Sequence, residues 1–145
     1  MSDPSSTRSI AELTRRYIEA CNERRIDDLD HYFRPEFVSH LRVGDVAGLD
    51  RFKAMLLHTY DAFPDVWWTP VETIEAPDRC TIRYYFEGTH LGHFMGVPPS
   101  HRRVHIDACE VMHIRDGWVL EIWNYADMLG MAAQLNADNP LALRG

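Results

Sequence analysis

The stretch that decides the fold is VHIDACEVMHIRDGWVLEIWNY, residues 104–125. Two runs rich in branched and aromatic residues, 104–114 and 118–125, flank the pair Asp116-Gly117. An Asp-Gly pair between two such runs is the strongest short-range signal for a two-residue hairpin, because both central residues of that turn need a positive φ. The sequence therefore predicts two long antiparallel strands joined by a tight turn.

The segments before this hairpin extend the sheet. Residues 80–88 are again rich in aromatic and branched side chains and predict a third long strand. Residues 66–75 have the same character but contain Pro70, which cannot donate to a strand ladder and so indicates an edge strand or a bulge. Residues 89–101 are predicted to form a long loop.

Helical spacing dominates the first half of the chain. Apolar residues recur at the helical period over 9–25 and again over 49–63, where Pro64 ends the segment. The shorter predicted elements are a helix at 26–33, an extended piece at 37–41, a loop at 44–48 and, after an Asp127 cap, a helix from 128 to about 136. Helices on one face of an antiparallel sheet define an α+β fold. We expect one domain over 9–138, with tails at 1–8 and 139–145.

The composition limits the classes of function. The chain has 145 residues, enough for one domain with a real core, and 46% of them are hydrophobic. A net charge of −7, with 15 basic residues against 22 acidic ones, argues against nucleic-acid binding. Without an apolar run of roughly 18 residues or a signal-peptide pattern, we expect a cytoplasmic protein with no membrane partner. Three widely spaced cysteines predict neither a disulfide framework nor a cysteine-rich zinc site.

The hairpin also predicts which side chains share a face. If the Asp-Gly pair forms the turn, Arg115 faces Trp118, and an unbroken ladder places Cys109 opposite Asn124. Asp107 then lies on the same face, diagonal to Asn124. We expect this face to line a cavity under the helices.

The opposite face is expected to point outward. It carries Glu110 and Glu121, which would repel each other if both were buried and ionised. We therefore interpret this face as one that contacts solvent or another subunit. Trp123 and Tyr125 on this face favour contact with a second copy of the chain. We therefore expect a homodimer or higher homo-oligomer through the outer sheet face.

Several motifs of the chain resemble those of a known family. The run GTHLGHFMGVPP at 88–99 precedes Glu-Ile-Trp at 121–123, and Asp127 follows four residues after this Trp. Together with residues 17–22 and 63–65, these motifs resemble the SnoaL-like polyketide cyclases of the nuclear transport factor 2-like superfamily. The resemblance implies a cone-shaped α+β barrel, in which a curved antiparallel sheet wraps around three helices and encloses a deep apolar pocket.

The resemblance also implies a reaction. The family's best-known members close a ring in aromatic polyketide biosynthesis by an intramolecular aldol condensation, with no metal and no organic cofactor. One aspartate of the last strand removes a proton next to a carbonyl, and in this chain Asn124 stands at that position. An amide does not exchange a proton near neutral pH as a carboxylate does. Either this chain does not run the aldol reaction by that route, or another group supplies the base.

Asp107 is the predicted base, with Asn124 orienting a carbonyl or enolate oxygen. A carboxyl in an apolar pocket has a raised pKa, which suits acid–base work. His40 is a second candidate for proton transfer, at the pocket mouth. Alternatively, Asp107 is a hydrogen-bonded polar residue at a strand end with no catalytic role. His40, in its alternative interpretation, only stabilises a loop. His90 and His93 give only a weak metal pattern, and we expect no metal.

The remaining pocket wall is expected to be aromatic and aliphatic, which suits a small apolar or aromatic metabolite. The predicted substrate-contacting residues are Tyr17, Cys21, Phe37, Phe52, Tyr60, Phe63, His90, Phe94, Met95, Val111, Leu120 and Ile122. His90 also has a purely structural interpretation, in which it bonds the backbone of its loop.

Three functions stay open from the sequence. The first is a cofactor-independent cyclase, lyase or isomerase that moves a proton on a small apolar carbonyl metabolite of polyketide type. The second is a dehydratase using His40 with Asp107, or an epoxide hydrolase or cofactor-free hydroxylase with the same pocket. The third is a non-catalytic ligand-binding or dimerisation domain, because Asn124 replaces the family's aspartate.

Overall fold

The computed structural model describes residues 8–135. The elements are α1 (Ile10–Asn22), a 3-10 helix (Ile26–His31), β1 (Phe33–Leu41), β2 (Gly44–Ala47), α2 (Leu49–Ala62), β3 (Trp67–Glu75), β4 (Arg79–Thr89), β5 (Arg103–Arg115), β6 (Trp118–Ala126) and α3 (Met128–Leu135). The predicted tails lie outside the described residues, apart from Arg8, whose guanidinium donates to the Gly117 carbonyl. No helix within the described range has the length and apolarity to cross a membrane.

The six strands form one curved open sheet in the order β2-β1-β6-β5-β4-β3, which confirms the α+β fold class. Every neighbouring pair is antiparallel except β1 and β6, which run parallel. The strand β2 replaces the loop predicted at 44–48. The strand β1 begins at Phe33, the last residue of the predicted short helix and four residues before the predicted extended piece. Both differences arise because β1 finds ladder partners on both of its edges.

Two local predictions from the sequence are confirmed. Asp116 and Gly117 have φ values of 52° and 77°, as a type I′ turn requires, and Arg115 pairs with Trp118. The strand that contains Pro70 is an edge strand, and its register shifts just after that proline.

The ladder next to the turn contains a bulge that the sequence analysis did not predict. Leu120 of β6 is an extra, unpaired residue, and the register changes by one beyond it. Asn124 therefore lies opposite Glu110, whereas an unbroken ladder would place it opposite Cys109.

One face of β5 is buried beneath the helices, and we call it the inner face. It carries Val104, Ile106, Ala108, Glu110, Met112 and Ile114, all of them buried. Asp107 and Val111 lie on the other, outer face, where Asp107 is exposed and 3.8 Å from Arg83. The prediction that Asp107 and Val111 share a cavity face with Asn124 is wrong, because the bulge offsets β6 by one residue against β5.

The glycine-rich run at 88–99 packs against the end of α2. The backbone N–H groups of Leu91 and Gly92 both donate to the carbonyl of Ala62, at 2.9 and 3.1 Å. A Cβ atom at Gly92 would lie 2.6 Å from the backbone oxygen of Asp61, so this position admits no larger residue without a shift. The run therefore fixes the loop that closes one side of the cavity described next.

Candidate active site

A cavity of about 510 Å³ lies between the inner face of the sheet and the helices α1 and α2. Its wall is mostly apolar, and four of its residues are the methionines Met55, Met95, Met128 and Met131. Val43 and Met95, which are 85% and 49% exposed, mark the side on which the cavity meets solvent. This volume lies in the range of pockets that take small organic ligands.

Four polar side chains meet in the buried part of the cavity, and we call them the Glu110 cluster. They are Tyr17 of α1, Tyr84 of β4, Glu110 of β5 and Asn124 of β6. Glu110 Oε1 accepts hydrogen bonds from the hydroxyls of Tyr17 and Tyr84, each at 3.4 Å, and from Asn124 Nδ2 at 3.1 Å. Asn124 Nδ2 also donates to the Tyr84 hydroxyl at 2.9 Å.

The sheet register and the helical period bring the cluster together. Asn124 lies directly opposite Glu110 across the β5–β6 ladder. Tyr84 pairs with Ala108, one inner-face position along β5 from Glu110, on the other side of that strand. Tyr17 reaches Glu110 from above, because α1 turns its buried side toward the sheet.

Burial sets the electrostatics of the cluster. Loss of water raises the pKa of Glu110 from 4.5 to about 7, although the hydrogen bonds from Asn124, Tyr17 and Tyr84 act in the opposite direction. Burial and then the charge of Glu110 raise the pKa of both tyrosines, so they remain protonated donors. Glu110 is therefore a carboxyl that can take up or release a proton near neutral pH.

The raised pKa predicts a pH-dependent stability. Because the folded state holds the Glu110 proton more tightly than the unfolded state, the stabilisation is fully present below pH 4.5 and is lost as the pH rises through about 7. A rise from 4.5 to about 7 corresponds to about 3 kcal/mol. Urea unfolding should show the wild type losing about this much, relative to Glu110→Gln, between pH 4.5 and pH 8. A constant difference between the two proteins across this range would contradict the assignment.

Six of the predicted site residues line the cavity: Tyr17, Cys21, Phe52, Phe94, Met95 and Asn124. Their contact with a substrate stays a prediction. Burial raises the pKa of the Cys21 thiol far above its usual value, so this residue is a wall residue and not a thiolate nucleophile.

Other predicted wall residues belong to the surrounding core. Phe37 packs between Phe33 and Phe52, and Phe63 packs on Phe86. Ile122 is fully buried. The residues that the prediction placed in the cavity wall but that do not line it are Phe37, Tyr60, Phe63, His90, Val111, Leu120 and Ile122. Apart from His90, they are aromatic or apolar, a property that residues of the core share with residues of a pocket wall.

Three of these residues have identifiable structural roles. The hydroxyl of Tyr60 donates to the Cys21 carbonyl at 2.7 Å. His90 is fully buried, and its Nδ1 lies 2.8 Å from Ser100 Oγ. This contact supports the structural interpretation, in which His90 stabilises its own loop. Leu120 occupies the bulge of β6.

His40 lies on the outer face, so its predicted place at the pocket mouth is wrong. Its neighbours on β1, Ser39 and Leu41, line the cavity, and strand alternation turns His40 the other way. Its Nε2 is 2.6 Å from Glu121 and its Nδ1 is 2.8 Å from Asp45, and these hydrogen bonds raise its pKa. Neither His40 nor Asp107 lines the cavity, so the predicted dehydratase pair is not assembled there.

Sequence reasoning missed Tyr84 and placed Glu110 outside. A usable signal was present in β5, where the residues at even positions from Val104 to Ile114 are apolar except for Glu110. A single acid in an otherwise apolar alternation is a candidate for a buried carboxyl, but the alternation does not say which face of the strand the helices cover. Within residues 8–135, no group of three or more His, Cys, Asp or Glu side chains is arranged to hold a metal ion.

The sequence model of the SnoaL-like polyketide cyclase family matches residues 11–135. The chain belongs to this family. It is 26% identical to the nogalonic acid methyl ester cyclase of Streptomyces nogalater over 81% of this chain and 90% of that protein. It is also 26% identical to the aklanonic acid methyl ester cyclase DnrD of Streptomyces peucetius, over 89% and 92% of the two chains.

The fold is likewise that of solved members of the SnoaL-like group. The structure of TsrD from Streptomyces laurentii superimposes with a TM-score of 0.81 at 26% identity, covering 94% of this chain and 99% of that one. A SnoaL-like protein from Jannaschia gives a TM-score of 0.82 at 20% identity, over 96% and 99% of the two chains, which supports the fold alone.

Proposed function

We propose that this SnoaL-like protein is a cofactor-independent cyclase that moves a proton on an apolar carbonyl metabolite, with Glu110 as its acid–base group. The observation that carries the proposal is the Glu110 cluster, in which an apolar cavity holds a buried carboxyl whose pKa is about 7. A base with a pKa near the working pH is partly ionised and still basic enough to accept a proton from carbon.

The proposed reaction begins with ionised Glu110 taking a proton from a carbon next to a carbonyl. The three hydrogen bonds of the cluster end on Oε1, so Oε2 is the oxygen assigned to this proton. The Tyr84 hydroxyl has one proton, which it donates to Glu110 Oε1 in the free protein. When substrate is bound, this proton turns to the developing enolate oxygen, while Asn124 continues to donate to the Tyr84 oxygen. The enolate carbon then bonds to a second carbonyl carbon of the same molecule, and the new alkoxide takes the proton back from Glu110.

The proposed base lies on β5, whereas the family's aspartate belongs to the last strand, here β6. The resemblance to the family places its aspartate at Asn124, and Glu110 lies directly opposite Asn124 across the ladder. The amide of Asn124 holds Glu110 and Tyr84 together. A carboxyl and an amide thus face the same cavity.

The proposed substrate class is a polyketide carbonyl compound of several rings. Two relatives are named as cyclases of nogalonic and aklanonic acid methyl esters, and we extend this class, not the compounds, to the present chain. The support is the apolar wall and the cavity volume of about 510 Å³. Self-association through the outer sheet face and a cytoplasmic location stay predictions.

Hydrogen exchange at carbon tests the first step. Aklanonic acid and its methyl ester serve as probes of the class. We expect the wild type to incorporate deuterium from D2O into at least one of them, with kcat/KM rising to a plateau through a pKa of about 7. Mass spectrometry reports the exchange, and liquid chromatography reports ring closure. A profile that is flat between pH 5 and 9 would exclude Glu110 as the base.

A further inference from the structure

The charges that line the cavity differ from those of the whole chain. The chain has 22 acidic residues against 15 Lys and Arg. Among the described residues that line the cavity, Glu110 is the single carboxylate, whereas Arg42 and His58 supply two basic groups. Glu110 is buried, while both basic residues are exposed and so lie where the cavity meets solvent. We call Arg42 and His58 the rim pair.

Arg42 stands in the turn between β1 and β2, next to the exposed Val43. Within the described part of the chain, its guanidinium makes no hydrogen bond and no ion pair, although Asp45 lies three residues further on. By contrast, Arg103 pairs with Asp65 at 3.3 Å. The five N–H donors of Arg42 are thus available to a molecule that enters the cavity.

His58 is the second basic group of the rim. It lies on α2, and its ring stacks on that of Phe94, with centroids 6.3 Å apart and planes 22° from parallel. Both rings line the cavity. No carboxylate of the described residues lies within ion-pair distance of His58, so its ring N–H is also available.

We propose that the substrate carries a free carboxylate, which the rim pair binds while the reacting carbon faces Glu110. A guanidinium matches a carboxylate with two parallel hydrogen bonds, and such charge-assisted bonds are about twice as strong as neutral ones. The apolar wall between rim and cluster then holds the rings. This inference rests on the proposed function for the position of the reacting carbon, but not for the binding of the carboxylate.

The inference separates this chain from two of its relatives. Their names describe cyclases of methyl esters, in which a carboxyl group is esterified and carries no charge. An ester has no negative charge for Arg42 to bind. We therefore expect this protein to prefer the acid over the corresponding ester.

Binding of two matched probes tests the inference. Aklanonic acid and its methyl ester are titrated into the full chain at pH 8, and quenching of tryptophan fluorescence is followed, because Trp68 lines the cavity. The wild type should bind the acid about tenfold more tightly than the ester. Arg42→Gln should remove most of this preference, because only His58 of the rim pair is left, Arg42→Lys should retain more of it, and added salt should weaken it.

Arg51→Gln is the matched control, because Arg51 is an exposed arginine of α2 that does not line the cavity. It should keep the full preference for the acid. Equal affinity for acid and ester in the wild type, binding of neither probe, or an unchanged preference in Arg42→Gln would overturn the inference. Deuterium exchange that depends on Glu110 but shows no acid preference would overturn the rim assignment alone. A clear acid preference with full exchange activity in Glu110→Gln would overturn only the proposed base.

Discussion

Replacing Glu110 by Gln is expected to lower kcat for carbon deprotonation by about 10²–10⁴-fold. The amide has nearly the same shape, and its oxygen can accept the same hydrogen bonds from Tyr17, Tyr84 and Asn124. It cannot take a proton from carbon near neutral pH. The loss should therefore fall on kcat, while ligand affinity and the folded structure are retained.

Asp107→Asn is the matched control for this variant. It makes the same kind of change on the same strand, but at an exposed outer-face position beside Arg83. We expect it to keep wild-type turnover within about twofold, because Asp107 does not line the cavity and exposed substitutions of this kind usually change stability little. The reverse pattern, with turnover lost in Asp107→Asn and kept in Glu110→Gln, would show that the base is on the outer face.

Replacing Asn124 by Asp is expected to reduce stability at pH 8 by about 3 kcal/mol or more. The amide nitrogen lies 3.1 Å from Glu110 Oε1, so the variant would bring two carboxyls into contact inside the cavity. Both would ionise in the unfolded chain, but two buried like charges repel in the folded one, which raises the pKa of one carboxyl further. The loss of stability in Asn124→Asp should be small at pH 5 and grow as the pH rises.

The double variant Glu110→Gln/Asn124→Asp provides the control. It again places one carboxyl and one amide at the two facing positions, so the repulsion disappears. Chemical unfolding at pH 5 and pH 8 should show that most of the stability lost in Asn124→Asp returns. If the double variant is as unstable at pH 8 as Asn124→Asp, repulsion with Glu110 is not the cause.

The elements that could be predicted from the sequence are those whose formation depends on residues within the element itself. The Asp116-Gly117 pair fixes a turn through its own backbone preferences, and Pro70 marks an edge strand because it lacks a donor. The apolar spacing of 9–25 similarly predicts α1. The short strand β2 gave no comparable signal, since it consists of four residues and depends on pairing with β1.

Only some of the residues that line the cavity could be predicted from the sequence. Asn124 was correctly placed in the cavity, as were Tyr17 and Cys21 on the buried side of α1. The carboxyl expected to share a face with Asn124 was Asp107, but the structure places Glu110 there. Asp107 and Glu110 lie on opposite faces of one strand, and the register of β6 decides which of them faces the same way as Asn124.

The sequence by itself determined the order of elements apart from β2, the hairpin turn and the family to which the chain belongs. These follow from backbone preferences and short motifs that act within a few residues. Only the tertiary structure decided which carboxyl is buried. One extra residue, Leu120, offsets the ladder so that Glu110 meets Asn124, and the helices then remove water from it. The raised pKa of Glu110 is thus a property of packing between distant segments.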